Sequence, residues 1–436
     1  MAELTDTERA LLDAAEAATG ELVDLVRELV RIPSQNIPPR GEERAAQLFT
    51  RDWLAGIGVA AELIDLTRVE GLAAHELFFR GAGYERREYD DRPNVAARVP
   101  GAGGGRTLIL SGHMDTMPAG KTRWRCEPFG GDVTGGRIHG RGSCDMKGGV
   151  ACQMIALKLL QEAGAALAGD VIFETVVDEE HAGCNGTLAN RLLGYNGEAA
   201  VLCEPSHLQL FHAHKGFRIV HLTLRGQSGM GFAGEQLPNP IEHVGTLIEG
   251  VQQFRRQRKR TAPRPAAYAD DPDPVPVYMN KLQAGEFSLN IPMQVPETCT
   301  LEIYWQTLPG ETREAVEREF FDFLDEWIGR HPQLEPFQIE HRFSHRWMPG
   351  TGISRDAPIV TTVEHAAADA LGSAVRVTGG PFPCDLFVFG HFGIPAVIFG
   401  PTGGNCHGSD EYVEIDSLVS VLKTLLLTIV RFCGLP

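Results

Sequence analysis

Five short stretches of this chain each offer a side chain that can bind a metal. They are Gly-His-Met-Asp-Thr at 112–116, Cys-Asp-Met-Lys-Gly at 144–148, Asp-Glu-Glu at 178–180, Cys-Glu-Pro at 203–205 and Asn-Cys-His-Gly at 405–408. Two histidines and three carboxylates, with one further carboxylate to act as a base, are the ingredients of a two-metal hydrolytic site. Two divalent ions sharing Asp145 could activate one water and polarise a carbonyl. Zinc suits a mixed imidazole and carboxylate set, and cobalt or manganese would also fit. Singly, each stretch has a plainer explanation: a lone histidine is usually surface or core, and an acidic pair is usually a solvated face. The weight lies in all five occurring in one chain.

The elements around these stretches would hold them still. His113 and Asp115 follow the apolar run Leu108–Leu110, and a strand end fixes ligand geometry well. Residues i and i+2 of an extended segment point the same way, so Asp115 can accept the second ring N–H of His113. Asp145 lies between a loop rich in glycine (Gly140, Gly142) and a helix. Glu179 and Glu180 end another strand, where adjacent residues face differently. One can therefore bind metal while the other faces a metal-bound water. Glu204 ends the next strand, and His407 lies in a Gly-rich loop after Phe399-Gly400-Pro401.

Helical spacing of apolar residues covers 8–30, 42–56 and 146–163, and strand-like runs cover 59–66, 95–99, 107–110, 170–177 and 199–203. This alternation predicts an α/β catalytic domain with a mostly parallel central sheet flanked by helices. Near residue 214 the pattern changes. Residues 217–224 and 298–305 alternate apolar and polar, 241–254 and 312–328 read as helices, and 255–276 reads as a surface loop. A smaller α+β domain is thus inserted at 214–342, which leaves the catalytic domain discontinuous, as 1–213 and 343–436.

Composition narrows the function further. A chain of 436 residues exceeds one ordinary core, and a formal net charge of −17 argues against non-specific nucleic-acid binding. The apolar run from Leu418 to Cys433 is broken by Lys423 and Arg431, so no membrane span is expected. No secretory signal is visible, and nine cysteines without disulfide-framework spacing suit a reducing cytoplasm.

The chain resembles the di-zinc metallopeptidase and deacylase family of aminoacylase, acetylornithine deacetylase and succinyl-diaminopimelate desuccinylase. Its landmarks are Arg31-Ile32-Pro33-Ser34, Gly112-His113-Met114-Asp115-Thr116, Gly140-Arg141-Gly142 leading to Asp145-Met146-Lys147-Gly148-Gly149, Asp178-Glu179-Glu180, Cys203-Glu204-Pro205-Ser206 and Phe399-Gly400-Pro401 with His407. The resemblance implies that His113, Asp145 and Glu204 hold one ion, and Asp145, Glu180 and His407 the other. It makes Glu179 the general base and Asp115 the residue that orients His113. It implies a zinc-dependent hydrolase in which a metal-bound hydroxide cleaves a C–N amide bond of a small N-acylated amino compound. The inserted domain would be the family's lid, often also its dimer surface.

The lid departs from the family pattern. Gly226-Gln227-Ser228-Gly229-Met230 puts Met230 where the family carries an oxyanion-binding His. Alignment on Val295-Pro296 puts Met293 at a usual Asn and Gln306 at a usual Arg, which commonly binds a substrate carboxylate. Phe387 falls where some members also have Arg. A thioether donates no hydrogen bond, and Gln306 has no charge to offer. Either His212, His214 or Arg218 substitutes, or the substrate is bulkier or less charged and meets an apolar wall of Met230, Met293 and Phe387. Non-hydrolytic chemistry (condensation, cyclisation or elimination) and metal binding without turnover are the rival readings. Cys144, Cys203 and Cys406 each precede a presumed ligand; packing is the favoured reading over thiolate coordination. Lys147 is expected to make a structural contact behind Asp145.

Overall fold

Leu108–His113 is buried at every position, as a strand covered on both faces must be. The computed structural model describes residues 3–82, 86–232, 234 and 236–435. They fall into two compact units: Met1–Ala213 with Gly352–Gly380 and Cys384–Pro436, and His214–Thr351 with Pro381–Pro383. The smaller unit runs past residue 342. A strand at Gln338–Phe343 and the bridge between Phe217 and Met348 tie the following residues to its sheet.

The larger unit begins with α1 (Asp6–Ala17) and α2 (Thr19–Arg31) where periodicity predicted one helix. Thr5 caps α1: its hydroxyl accepts from Glu8 N, and the Glu8 carboxylate takes Thr5 N in return. Such a cap stabilises by about 1 kcal/mol. Next come α3 (Arg44–Gly56), β1 (Ala61–Ile64), β2 (Asn94–Val99), β3 (Leu108–His113), α4 (Gly148–Glu162), β4 (Val171–Val176), α5 (Asn185–Leu192), β5 (Ala199–Leu202) and β6 (Leu210–His214). α4 is buried almost all round. Gly149 permits its approach to the sheet, since a Cβ there would stand 2.2 Å from the Cys203 carbonyl. That approach fixes α4 against the strand that leads to Glu204.

The smaller unit is a four-stranded antiparallel sheet with two helices, β7 (Gly216–Arg225), α6 (Pro240–Thr261), β8 (Val277–Ala284), β9 (Thr298–Thr307), α7 (Arg313–Gly329) and β10 (Gln338–Phe343). The strand order is β8-β9-β7-β10. Val220, Leu222, Phe254, Trp305, Phe320 and Trp327 share its core. α6 continues to Thr261 through residues expected in a loop. The cause is Arg258, fully buried, whose Nη2 lies 2.9 Å from both oxygens of Glu311 while Nη1 pairs with Glu319. Beyond it the segment 262–276 holds no helix but a single 3-10 turn. β8 was not expected, because most of its side chains are exposed and show no inward alternation.

The chain then returns to the larger unit with β11 (Thr351–Gly352), α8 (Pro358–Leu371), β12 (Val377–Gly379), α9 (Leu386–His391), β13 (Ala396–Ile398) and α10 (Ile415–Cys433). The large sheet has the order β11-β6-β13-β5-β3-β4-β2-β1, with β12 beside β6. Its centre, β13-β5-β3-β4, is parallel, and β2 and β1 add antiparallel at one edge. Helices flank it, which makes this unit α/β. No helix among the described residues is long and apolar enough to cross a membrane.

Candidate metal centre

β3 delivers His113 at its last residue. The chain beyond it is pinned by Met114 N to Val176 O at 2.8 Å and by Thr116 N to Ser34 O at 3.0 Å. His113 Nδ1 lies 2.8 Å from the main-chain carbonyl of Asp115. A carbonyl only accepts, so Nδ1 carries the proton and Nε2 is left to face the site. The Asp115 carboxylate, expected to accept this ring N–H, is not the acceptor: its nearest oxygen is 3.8 Å from Nδ1. That carboxylate instead accepts the backbone N–H groups of Glu179 (3.2 Å) and Glu180 (3.1 Å) and the amide of Asn36 (2.8 Å).

Asp145 stands between the two imidazoles. Its Oδ1 is 3.0 Å from His113 Nε2, and its Oδ2 is 3.2 Å from His407 Nε2. Residues 143–147 turn irregularly rather than starting a regular helix. Glu411 holds that turn. One of its oxygens accepts from Cys144 N and Asp145 N, and the other accepts from Gly142 N and the Arg141 guanidinium. Sequence reasoning missed Glu411; its place four residues after His407 was the available signal. Lys147 donates from Nζ to the carbonyls of Leu29 (2.9 Å) and Ile32 (2.8 Å), which is the structural contact expected of it. Burial lowers its pKa to about 7.

Glu180 Oε2 lies 2.9 Å from His407 Nε2, and its other oxygen accepts from Met117 N at 2.9 Å. Glu204 lies 3.5 Å from His113 Nε2. Glu179 is farther out, 4.0 Å from the same nitrogen. All six side chains thus converge. His113 meets Asp145 and Glu204, His407 meets Asp145 and Glu180, and Asp145 is common to both. Candidate ligand atoms of His113, Asp145 and Glu180 all lie within 4.8 Å of one another.

The electrostatics of this cluster call for positive charge. Burial pushes the Glu204 carboxyl up to about 7 and the Glu179 and Glu180 carboxyls upward. Burial acts the same way on Asp145, but its hydrogen bonds to His113 and His407 win and hold it well below the usual carboxylate range. Both imidazoles resist the opposite pull of burial. The charge of Glu204 and the hydrogen bond to Asp145 raise His113, and Asp145 and Glu180 raise His407 to about 12. Imidazoles drawn to the cationic form among convergent carboxylates mark a donor set that fits divalent metal.

Of the cysteines beside the ligands, Cys144 and Cys203 are buried as the packing reading expects, whereas Cys406 is exposed. Cys144 is held well above its usual range by a hydrogen bond to Cys406 and by burial, and burial pushes Cys203 up to about 12.

In the smaller unit Val295 N donates to Gly229 O at 2.7 Å, which brings the Met230 and Met293 segments side by side. Met230 is 38% and Met293 83% exposed. Gln306 turns inward and donates to Pro381 O at 3.0 Å. The residues weighed as substitutes are otherwise engaged. His212 bonds the Ile353 carbonyl, buried His214 bonds Thr351, and Arg218 pairs with Glu317 while stacking 3.6 Å from the Phe343 centroid. Phe387 is only 2% exposed within α9, so it is core and not part of a surface wall.

Comparison with known proteins agrees with this geometry. Residues 109–431 match the family described as Peptidase family M20/M25/M40. The chain is 32% identical over 409 residues to a succinyl-diaminopimelate desuccinylase of Methylobacterium radiotolerans, covering 90% of this chain and 92% of that one. It is 26% identical over 450 residues to an N-formyl-4-amino-5-aminomethyl-2-methylpyrimidine deformylase of Halalkalibacterium halodurans, covering 95% of each. Among solved structures it is similar to human carnosine dipeptidase 1, with TM-score 0.75, 12% identity, and 99% and 100% of the two chains covered. The Bacillus subtilis YXEP protein, described as a dinuclear metal-binding peptidase of the M20 family, superimposes with TM-score 0.63 at 18% identity, covering 96% and 99%.

Proposed function

The chain belongs to peptidase family M20/M25/M40, and from that premise we propose how its residues divide the work. It is a metal-dependent hydrolase of an amide bond in a small N-acylated amino compound. In our reading His113, Asp145 and Glu204 hold one ion, and Asp145, Glu180 and His407 hold the other. The observation that carries this reading is Asp145, whose two oxygens face two different imidazoles. Two divalent ions, zinc by preference for this donor set, supply Lewis acidity toward a water and a carbonyl oxygen. Glu179 lies outside the closer contacts and is free to take a proton from the attacking water and return it to the leaving nitrogen. Asp115 sets the orientation of His113 and of the Glu179–Glu180 backbone.

The substrate, in this reading, lacks a carboxylate for the enzyme to grip. Support comes from Gln306, an uncharged side chain turned inward at the position where the family resemblance implies Arg, and from Met230 where it implies a hydrogen-bonding His. By its name the deformylase relative acts on a formylated aminomethyl-pyrimidine, a compound without carboxylates. N-succinyl-diaminopimelate carries several. We place the substrate nearer the first. The test is turnover of the formyl-pyrimidine, N-acetylornithine and N-succinyl-diaminopimelate by zinc-loaded and chelator-treated enzyme. Chelator-sensitive release of amine from the formyl compound alone is expected, and efficient cleavage of either carboxylate-bearing substrate overturns the assignment.

A cytoplasmic setting is supported by nine free cysteines. A homodimer formed through the smaller unit is supported by Tyr278 and Leu282, apolar and exposed on its edge strand β8. Light scattering that returns a monomer at micromolar concentration overturns the dimer.

A further inference from the structure

The turn that carries Glu179 and Glu180 is one that ordinary side chains avoid. Asp178, Ala182 and Cys184 have φ of 67°, 59° and 56°, in the left-handed region where a Cβ is disfavoured. The turn wraps around a buried carboxylate: a Cβ on Gly183 would sit 1.8 Å from Asp178 Oδ2. Something must hold this backbone, because the orientation of both glutamates depends on it.

The holders come from a segment outside the five ligand-bearing stretches. Arg87 Nε lies 3.1 Å from Asp178 Oδ1, and both side chains are buried. The same guanidinium donates from Nη2 to the carbonyl of His181 at 2.9 Å. Arg87 therefore spans the turn from one side of Glu179–Glu180 to the other. Tyr89 donates its hydroxyl to Asp178 Oδ2 at 2.5 Å, and Asn185 donates to that hydroxyl. Asn185 also grips Phe79 through both its backbone groups. Asn36 completes the set. Its amide reaches Asp178 Oδ1 at 3.3 Å and Asp115 Oδ2 at 2.8 Å, and the Asp115 carboxylate receives the N–H groups of Glu179 and Glu180.

We propose that Arg87 and Tyr89 are positioning residues that brace the 178–181 turn, so that the segment delivering them sets the aim of Glu179 and Glu180 without touching metal or substrate. The inference rests on the assignment of those two glutamates given above. Outer partners of a metal site typically alter affinity or activity by about 10–100-fold when removed.

The test uses the full-length protein loaded with Co²⁺ as a spectroscopic probe and with Zn²⁺ for turnover. Tyr89→Phe removes one hydroxyl and keeps the ring. It is expected to lower kcat by about 10–100-fold with KM within about twofold, to weaken Co²⁺ binding and to shift the cobalt visible absorption bands. Arg87→Met is expected to do the same more strongly, and Arg87→Lys to recover part of the loss. If Arg87→Met does not fold, Tyr89→Phe and Arg87→Lys decide the matter. A merely structural role would lower Tm while leaving kcat and the cobalt bands alone. That result, or an effect confined to KM, overturns the proposal. Glu179→Gln run beside them separates the two claims. Full turnover by that variant overturns the assignment of the base, while unshifted cobalt bands in Tyr89→Phe overturn the brace whatever Glu179→Gln does.

Discussion

Histidine is used in opposite ways in the two units. In the larger unit His113 and His407 face carboxylates that push both imidazoles up, His407 to about 12. In the smaller unit burial drives His214 down to about 3, and its ring serves a hydrogen bond to Thr351. The first environment asks for a cation and the second excludes one. The same contrast extends to the neighbours. Both Asp145 carboxylate oxygens face an imidazole and its N–H meets Glu411, whereas Met230 and Met293 leave thioethers in the open and Gln306 is folded inward. The contrast sets a cluster of carboxylates and imidazoles in the larger unit against exposed thioethers in the smaller one.

The largest effect that can break this contrast is metal removal. Dialysis against a chelator is expected to abolish turnover, and zinc or cobalt should restore it, as followed by amine release and metal analysis. Next comes Glu179→Gln, which should lose about 10²–10⁴-fold in kcat while retaining bound metal, because an amide cannot accept the proton. A smaller effect is expected in the smaller unit. Met230→His should change kcat/KM on N-acetylornithine by less than about tenfold, since Gln306 still supplies no charge. A gain beyond a hundredfold, about 2.7 kcal/mol, would show that one side chain had been the whole difference.

A further effect concerns His214 and stability rather than turnover. Its folded pKa of about 3 lies below the ordinary 6.5, so between those values the unfolded chain binds more protons. Its contribution is intact above pH 6.5 and is lost as pH falls, by about 1.4 kcal/mol per unit within that window. Denaturant titrations at several pH values between 4 and 7 should show a flatter slope for His214→Gln than for the parent chain. Equal slopes would mean the imidazole is not excluded from charging.

Much of this was legible in the residues. His113, Glu179, Glu180 and Glu204 follow apolar runs that could only be buried strands, and burial patterns of β3, β4 and β5 show why. The α/β alternation carried the fold class for the same reason. What stayed hidden were partners brought in from far along the chain. Glu411, Tyr89 and Arg87 lie in segments without periodicity, and nothing local marks a side chain whose role is to hold another segment's backbone. Asp115 was expected to meet His113 through its carboxylate, but the choice between carbonyl and carboxylate depends on backbone torsion. The break at Ala18 was missed because alanine favours helix, and Gly20 just beyond it is a weak signal. α6 ran long because the basic run 255–260 contains buried Arg258, whose two acidic partners lie more than fifty residues away.

Glu411 has a consequence for how the protein is made. Its carboxylate closes the Asp145 turn across 266 residues of sequence. A ribosome adding roughly 5–20 residues per second needs some tens of seconds to go from one to the other. During that interval the nascent chain already displays His113, Asp145, Glu179, Glu180 and Glu204, but neither His407 nor the clamp that shapes their meeting place. On the proposed ligand assignment the cluster is therefore completed late in synthesis, after the strands are laid down.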